Sequence, residues 1–505
     1  MSAEGVLAAR VMDALLRENY AGLRSYARDG VLVPPGSPPI RLRTDGSAGG
    51  LHPGFLARAV VDADQGLRLG DVLAIVRRVA DPEDDVTAFA RECREALTAT
   101  LLGDGTRPET LRRLAKDDPL GPGVFYESLA AHTEHPVYPC SRARAGLTPA
   151  DLRRYAPEFA PEFPLRWARV PRDRIVSAGE LPGWWPDPEL FPVHPLAVRA
   201  VRERAEVLPE AFRPVRPTLS MRTLAAGPRV HVKVPLPTST LGLRNRRTIA
   251  PGTLPDGALA ERLLRGVLAE EDHPVLLADE QTYAHAGSPL LGYLVRRFPA
   301  ETADAHVVPV AALTAPHPDG GLVAERWDVP DLFGRYLDAL LAWNVALFRR
   351  GIALEAHQQN VALVLAPGEP LRLLLKDNDG MLADPDVLGA PCPFEDHRMR
   401  TADPEALVRV FVTITLHLCA AAPAFALAGR GLLPRGTGLA MIRDRLDALL
   451  GPDDAFLRAR VLDAPTLPGK AMVTAGTLVD KVRTGAADIN KHYGPDGPNY
   501  LRDLP

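Results

Sequence analysis

Apolar residues open the chain at near-helical spacing, at Val6, Val11, Leu15, Leu16 and Tyr20, and predict a first helix there. A second helical pattern, with mixed charge on one face, runs through residues 82–116. The middle of the chain changes period. Val230, Val232, Val234 and Leu236 alternate with His231 and Lys233, which predicts a strand carrying both polar groups on one face. The clearest helix follows at 332–350, where Phe333, Leu337, Leu340, Leu341, Asn344, Leu347 and Phe348 share a broad face. Arg349 and Arg350 suit its negative C-terminal end, and Gly351 can cap it. Two β runs, Val361–Leu365 and Leu371–Leu375, are joined by Ala-Pro-Gly-Glu-Pro and predict a hairpin. From about residue 400 the pattern is mostly helical again, while PPGSPP (34–39) and GSAGG (46–50) read as turns or loops. Helices and strands are segregated rather than alternating, so the expected class is α+β and not a Rossmann domain.

At 505 residues the chain is too long for one ordinary core, and two or three subdomains are expected. The pattern suggests a mostly helical part at 1–130, a mixed part at 131–330 and a C-terminal part at 331–505. Fifty prolines predict that long helices are scarce. With 59 basic against 63 acidic side chains and no basic block, nothing marks a nucleic-acid partner. Cys93, Cys140, Cys392 and Cys419 are scattered without a CxxC, which argues against a disulfide framework or a zinc site. The N-terminal stretch lacks the apolar core of a signal peptide. Leu416–Ala428, interrupted by His417 and Pro423, reads as too short to span a bilayer. The expectation is a cytoplasmic protein with no membrane partner.

Three constellations could carry chemistry. In the first, Glu355-Ala-His357-Gln-Gln359-Asn360 precedes the hairpin and Lys376-Asp377-Asn378-Asp379-Gly380 follows it, so the returning strand brings the two ends together. Glu355, Asp377 and Asp379 with one imidazole and two amides would suit Mg²⁺ on nucleotide phosphates, although Asp-Asn-Asp-Gly is also a good turn. The second is Ser220-Met-Arg222-Thr223, then Lys233, Thr238-Ser239-Thr240 and Arg244-Asn245-Arg246-Arg247. These cations and hydroxyls fit a triphosphate or polycarboxylate, and equally a solvated strand face. The third is Glu134-His135-Pro136-Val-Tyr138-Pro-Cys-Ser-Arg142-Ala-Arg144-Ala-Gly146, a loop in which Arg142 and Arg144 would form a carboxylate clamp.

These blocks, in this order, resemble the NRPS-independent siderophore synthetases, the aerobactin-synthetase-like family. The family pattern GHPxHPxxKxRxG is similar to EHPVYPCSRARAG at 134–146, and YxPEF to Tyr155-Ala-Pro157-Glu158-Phe159. PVHP is similar to 192–195, SxRT to Ser220–Thr223, and a Lys then Thr…Arg block to Lys233, Thr240 and Arg244. EAHxQN resembles Glu355–Asn360, an Arg-Asp block resembles Lys376-Asp377, and a late lysine motif resembles Leu467-Pro-Gly-Lys470-Ala471. The likeness spans roughly residues 120–500, and these motifs in register are specific where each alone is weak.

The resemblance implies a cupped thumb, fingers and palm architecture, with a mixed sheet, a largely helical C-terminal part, and ATP in the palm. It implies ATP and Mg²⁺ as cofactors, small carboxylate and amine (or hydroxyl) substrates, and a homodimer. The carboxylate would attack the α-phosphorus of ATP, and an amine would then displace AMP. In that scheme Ser220, Arg222, Thr223, Lys233, His357, Gln359, Asn360 and Asp377 would bind ATP, with Glu355, Asp377 and Asp379 on the metal. Arg222, Lys233, His357 and Arg244 would carry the catalysis, and His135, Arg142, Arg144, Thr240, Arg244 and Lys470 would hold the acid. Tyr138 stands where the family has a second histidine, and Arg142 where it has lysine. That pair predicts a dicarboxylate or an amidated citrate in preference to free citrate. A small-molecule kinase and a catalytically inactive ligand-binding relative are the rival readings.

Overall fold

The computed structural model describes residues 2–43, 61–388, 394–485 and 491–502, without the side chains of 63, 379 and 435. The GSAGG stretch and Cys392 lie outside the described residues, and so does the side chain of Asp379.

The opening pattern folds as helix α1 (Ala3–Arg17), with Ser2 accepting the amide of Gly5 at its N-terminus. It stops where Asn19 enters the left-handed region at φ 48°. Helices α2 (Leu69–Val79) and α3 (Val86–Leu114) pack against it. At 29 residues with Pro108 inside, α3 corrects the expectation that proline would keep helices short. Two short helices, α4 (Phe125–Ala130) and α5 (Pro149–Tyr155), lead into the sheet.

Nine strands form one antiparallel sheet. Its order is 176–178, 279–288, 291–297, 230–233, 223–227, 212–217, 163–169 and 190–193, with 206–207 pairing 163–169. The alternating strand is therefore Val230–Lys233, and it lies in the middle, Lys233 opposite Leu294 on one side and Thr223 on the other. A second sheet runs 275–277, 372–375, 361–365, 306–309. It contains the predicted hairpin, in register Val361 with Leu375. Only Ala278 separates strand 275–277 from strand 279–288, so the chain steps directly from the second sheet to the first. That step brings Glu280 beside the end of the hairpin.

Between the sheets and the C-terminal helices runs α8 (Val329–Arg349), which begins earlier than its apolar face because Asp328 accepts the amide of Asp331. Thr253–Glu270 and the short Val198–Val201 are α7 and α6.

The late apolar stretch belongs to a continuous 26-residue helix, Pro404–Gly429, long and apolar enough by length and composition to cross a membrane. It is instead core, with 89% of its most apolar window buried. The expectation of a short segment fails because Pro423 does not end it. Residues 411–421 are wound as π-helix, so the acceptors a donor at 423 would have used are the carbonyls of Leu418 or Cys419. Gln358 Nε2 donates to the first at 2.7 Å and the Tyr336 hydroxyl to the second at 2.8 Å. Side chains thus satisfy what the proline leaves open. A pair of strands, 466–470 with 493–498, is an addition to the otherwise helical C-terminal part.

Candidate active site

The hairpin does return its ends to one place. Lys376 N–H donates to Asn360 O (3.1 Å) and Glu355 N–H to Gly380 O (3.1 Å). A Cβ on Gly380 would lie 2.8 Å from Cβ of Glu355, so glycine is what allows the glutamate to lie over the turn. Gln358 is fixed by the apolar helix, as is Ala356, whose carbonyl accepts the Cys419 thiol at 3.2 Å.

Asp377 is the centre. Its backbone is left-handed (φ 68°), and its carboxylate pairs with Lys233 Nζ and, at 3.4 Å, with Arg296 Nη2. The turn is held from below by Glu280, which accepts the amides of Asp377 (2.9 Å) and Asn378 (3.1 Å) and meets Arg296 Nε at 2.5 Å. Burial pushes the Asp377 carboxyl up, but Lys233, Arg296 and Arg222 outweigh it and hold the group well below the usual carboxylate range. Lys376 pairs with buried Glu127, whose other oxygen accepts the amide of Leu219 at 3.0 Å. Glu127 therefore ties the hairpin end to the SMRT turn.

That turn, Ser220–Thr223, is the tip of the hairpin between strands 212–217 and 223–227. Met221 is left-handed (φ 65°), and Ser220 Oγ accepts the Thr223 amide at 3.0 Å. Arg222 Nη1 donates to Thr248 O (2.8 Å), which draws the Arg244–Arg247 loop toward the sheet. His231 does share a face with Lys233, but both are buried, and His231 Nε2 contacts Pro122 O at 2.8 Å. A solvated strand face is thereby excluded.

His357 lies within the electrostatic reach of Asp377, Lys470, Arg247 and Lys376, and burial pushes its imidazole down to about 4. Burial first, then the neighbouring His357 and the cations Arg10, Arg17 and Lys470, push His135 down to about 3. Its Nδ1 accepts the amides of Val137 (3.2 Å) and Tyr138 (3.0 Å), so the proton sits on Nε2. Lys233, Arg222, Asp377, His357, Lys376, Lys470 and His135 thus form one neighbourhood, in which Arg296 and Arg247 also take part.

Other expected residues are occupied elsewhere. Arg142 is buried, with Nε 2.6 Å from Glu134 and Nη2 donating to His132 O at 2.9 Å. Arg144 Nη1 donates to Ser141 O at 3.0 Å. Arg142 Nη1 is buried without a hydrogen-bond partner among the described residues. Thr240 and Arg244 lie in a loop docked on residues 475–477, with Arg244 N–H donating to Gly476 O at 3.0 Å. Tyr138 is fully buried and donates to Glu92 at 2.6 Å, so it cannot shape a pocket for the acid. The preference against free citrate argued from Tyr138 loses its basis. His194 of PVHP is buried too, edge-on to Tyr155 of YxPEF at 5.2 Å; the two motifs form one packing unit.

Among the described residues no three His, Cys, Asp or Glu side chains come close enough to enclose a metal. Asp377 and Glu355 flank the turn, with Glu280 engaged by its amides and by Arg296, an arrangement that suits Mg²⁺ completed by phosphate oxygens rather than a protein cage. Arg296, Glu280 and Glu127 escape a reading of motifs. For Arg296 and Glu127 the signal is a charge placed inside an otherwise apolar strand or helix, as in Leu-Gly-Tyr-Leu-Val-Arg296, whereas Glu280 stands among polar neighbours in Asp-Glu280-Gln-Thr.

Comparison with known proteins agrees with this geometry. Residues 123–315 match the IucA / IucC family, and residues 330–487 match a family described as ferric iron reductase FhuF-like transporter. The rhizobactin siderophore biosynthesis protein RhbC of Rhizobium meliloti is 28% identical over 72% of this chain and 71% of its own length. The staphyloferrin B synthase of Staphylococcus aureus is 26% identical over 51% of this chain and 54% of its length. The aerobactin synthase of Escherichia coli is 25% identical over 63% and 65%. The chain thus spans between about half and seven-tenths of these relatives. Among solved structures, ATP-bound aerobactin synthetase IucA from Klebsiella pneumoniae superposes with TM-score 0.72 at 19% identity, covering 99% of each chain. Petrobactin biosynthesis protein AsbB from Bacillus anthracis gives 0.73 at 17%, covering 99% and 96%. The chain thus resembles the IucA / IucC family over residues 123–315 and shares the fold of these aerobactin and petrobactin proteins along its length.

Proposed function

We propose that the protein is an ATP-dependent ligase of siderophore biosynthesis that activates a small carboxylic acid as its adenylate and joins it to an amine. The observation that carries this reading is the gathering of Lys233, Arg222 and Arg296 around Asp377, facing His135, His357 and Lys470. Joining a carboxylate to a polyphosphate brings two anions together, so a preorganised cationic basin supplies what the first step needs most. Lys233 and Arg222 would receive the phosphates, and the neutral His357 and His135 would act as hydrogen-bonding groups rather than as cations. Lys470 would face the acid. Asp377 and Glu355 would hold Mg²⁺, which supplies charge neutralisation at the phosphates. Released from Lys233 by the incoming phosphate, Asp377 gains oxygens for that role. The reading includes a cytoplasmic enzyme and a homodimer, as the family resemblance implies.

The test is to offer di- and tricarboxylates with hydroxylamine as the amine and to measure nucleotide products. Carboxylate-dependent AMP and pyrophosphate are expected. ADP as the only product would establish the kinase reading instead, and no turnover with tight nucleotide binding would establish the inactive relative.

A further inference from the structure

The end of α1 touches both loops that carry acid-side groups. Arg17 Nη2 donates to Val137 O at 2.5 Å, two residues beyond His135. The next residue, Glu18, accepts the amides of Val473 (2.9 Å) and Thr474 (2.8 Å) and the Thr474 hydroxyl (2.7 Å), three residues beyond Lys470. About two turns earlier on the same helix, Arg10 donates to His135 O at 2.8 Å and to Tyr138 O at 3.3 Å. Glu18 is buried and Arg17 nearly so, yet they do not neutralise one another through a shared contact; each reaches out to a different loop.

We propose that Arg17 and Glu18, with Arg10, are positioning residues that set His135 and Lys470 at a fixed separation across the acid side of the site. The two loops are more than three hundred residues apart in sequence, and Glu92, which accepts the Tyr138 and Thr477 hydroxyls, is a second link between them. A backbone carbonyl or amide gripped by a buried ion is held by a charge-assisted contact, stronger and more directional than a neutral one. Adjacent positions on one helix end leave no slack between the two grips. Arg10 prevents the His135 loop from pivoting about its single contact with Arg17. The inference rests on the reading of His135 and Lys470 as acid-side groups, but the clamp itself can be tested without it.

The variants are Arg17→Lys, Glu18→Gln and Arg17→Lys/Glu18→Gln in the full chain, with Leu7→Ala as a control that weakens the core at the other end of α1. Two readouts are taken from each: amide exchange over 134–140 and 470–476, and steady-state KM for the acid and for ATP. Glu18→Gln keeps the shape but replaces one acceptor oxygen by a donor, so exchange should rise about tenfold over 470–476. Arg17→Lys should act likewise over 134–140. Both should raise KM for the acid about tenfold while that for ATP moves less than threefold. Leu7→Ala should leave both KM values in place at an equal loss of Tm. Exchange no faster than in Leu7→Ala would overturn the clamp outright. Faster exchange without a change in the acid KM would overturn the positioning role. His135→Ala and Lys470→Ala then separate the causes. If they also leave the acid KM unchanged, the acid-side reading fails as well; if they raise it, only the α1 proposal falls.

Discussion

The two sides of the site hold their cations differently. On the sheet side three cations meet carboxylates, Lys233 with Asp377, Arg296 with Glu280 and Lys376 with Glu127, while Arg222 donates to Thr248 O. On the loop side Arg10, Arg17 and Arg142 all meet main-chain carbonyls of residues 132–138, with Arg10 and Arg142 also sharing the carboxylate of Glu134. The backbone explains the difference. In the central strands the ladder satisfies every main-chain group, so a buried charge there needs a side-chain partner. In an irregular loop the carbonyls have no ladder, and arginine both satisfies them and fixes their direction. Sheet-side pairs can therefore be opened by a ligand of the right charge, whereas the loop-side contacts are scaffolding.

The sharpest way to break that comparison is at Lys233. Lys233→Met strands Asp377 beside Arg296 and should cost about 3–5 kcal/mol in stability. Pyrophosphate release should fall by one to two decades, the equivalent of about 1.5–3 kcal/mol for a charge-assisted contact. Adding Asp377→Asn should recover much of the stability and none of the turnover. Recovery of both would mean the pair is structural.

Acid should act next most strongly, and on both sides at once. His132, His135, His194 and His417 are pushed down to about 3 by burial, His357 to about 4, and His231 well below the usual imidazole range. Between about pH 6.5 and 4 the unfolded chain takes up protons that the fold refuses, so stability must fall as pH drops through 6.5. Each imidazole can contribute about 1.4 kcal/mol per pH unit in that window. The stability held by the lowered Asp377 is lost only in stronger acid, below its ordinary range. Thermal melts from pH 7.5 to 5 should show a steep decline, and a flat profile would refute the neutral assignment.

Gly380→Ala is a smaller perturbation. Its Cβ would displace Glu355, and turnover should drop about tenfold, a shift of about 1.4 kcal/mol, with more Mg²⁺ needed for half-maximal rate. Smallest should be Arg142→Lys. It loses part of the grip on Glu134 and His132, costing about 1–2 kcal/mol in stability, while the rate per folded molecule stays within about threefold. A large KM effect for the acid would return Arg142 to the clamp the sequence suggested.

What was legible in the sequence was whatever a short connection constrains. Five residues between Leu365 and Leu371 leave the hairpin no choice but to bring Asp377 to Glu355, and alternation at 230–236 puts Lys233 in a strand. Tyr138, Arg142 and Arg144 were harder to read because a loop has no period to say which side chains face inward. Arg10 and Arg17 were invisible for another reason. Their partners are carbonyls more than a hundred residues away, and a carbonyl has no residue type. Pro423 misled because its effect on a helix depends on who takes the carbonyls it frees.

Those two carbonyls bear on a hazard the fold must avoid. An apolar segment of 26 residues is attractive to a lipid bilayer before it finds its place in a core. In hydrocarbon, parted from Gln358 and Tyr336, the proline would leave bare acceptors near the middle of the segment, each costing several kcal/mol. Inside the protein the same acceptors are filled. One residue thus makes the membrane a poorer solvent for this segment than its own molecule is, and biases a nascent chain toward the catalytic fold.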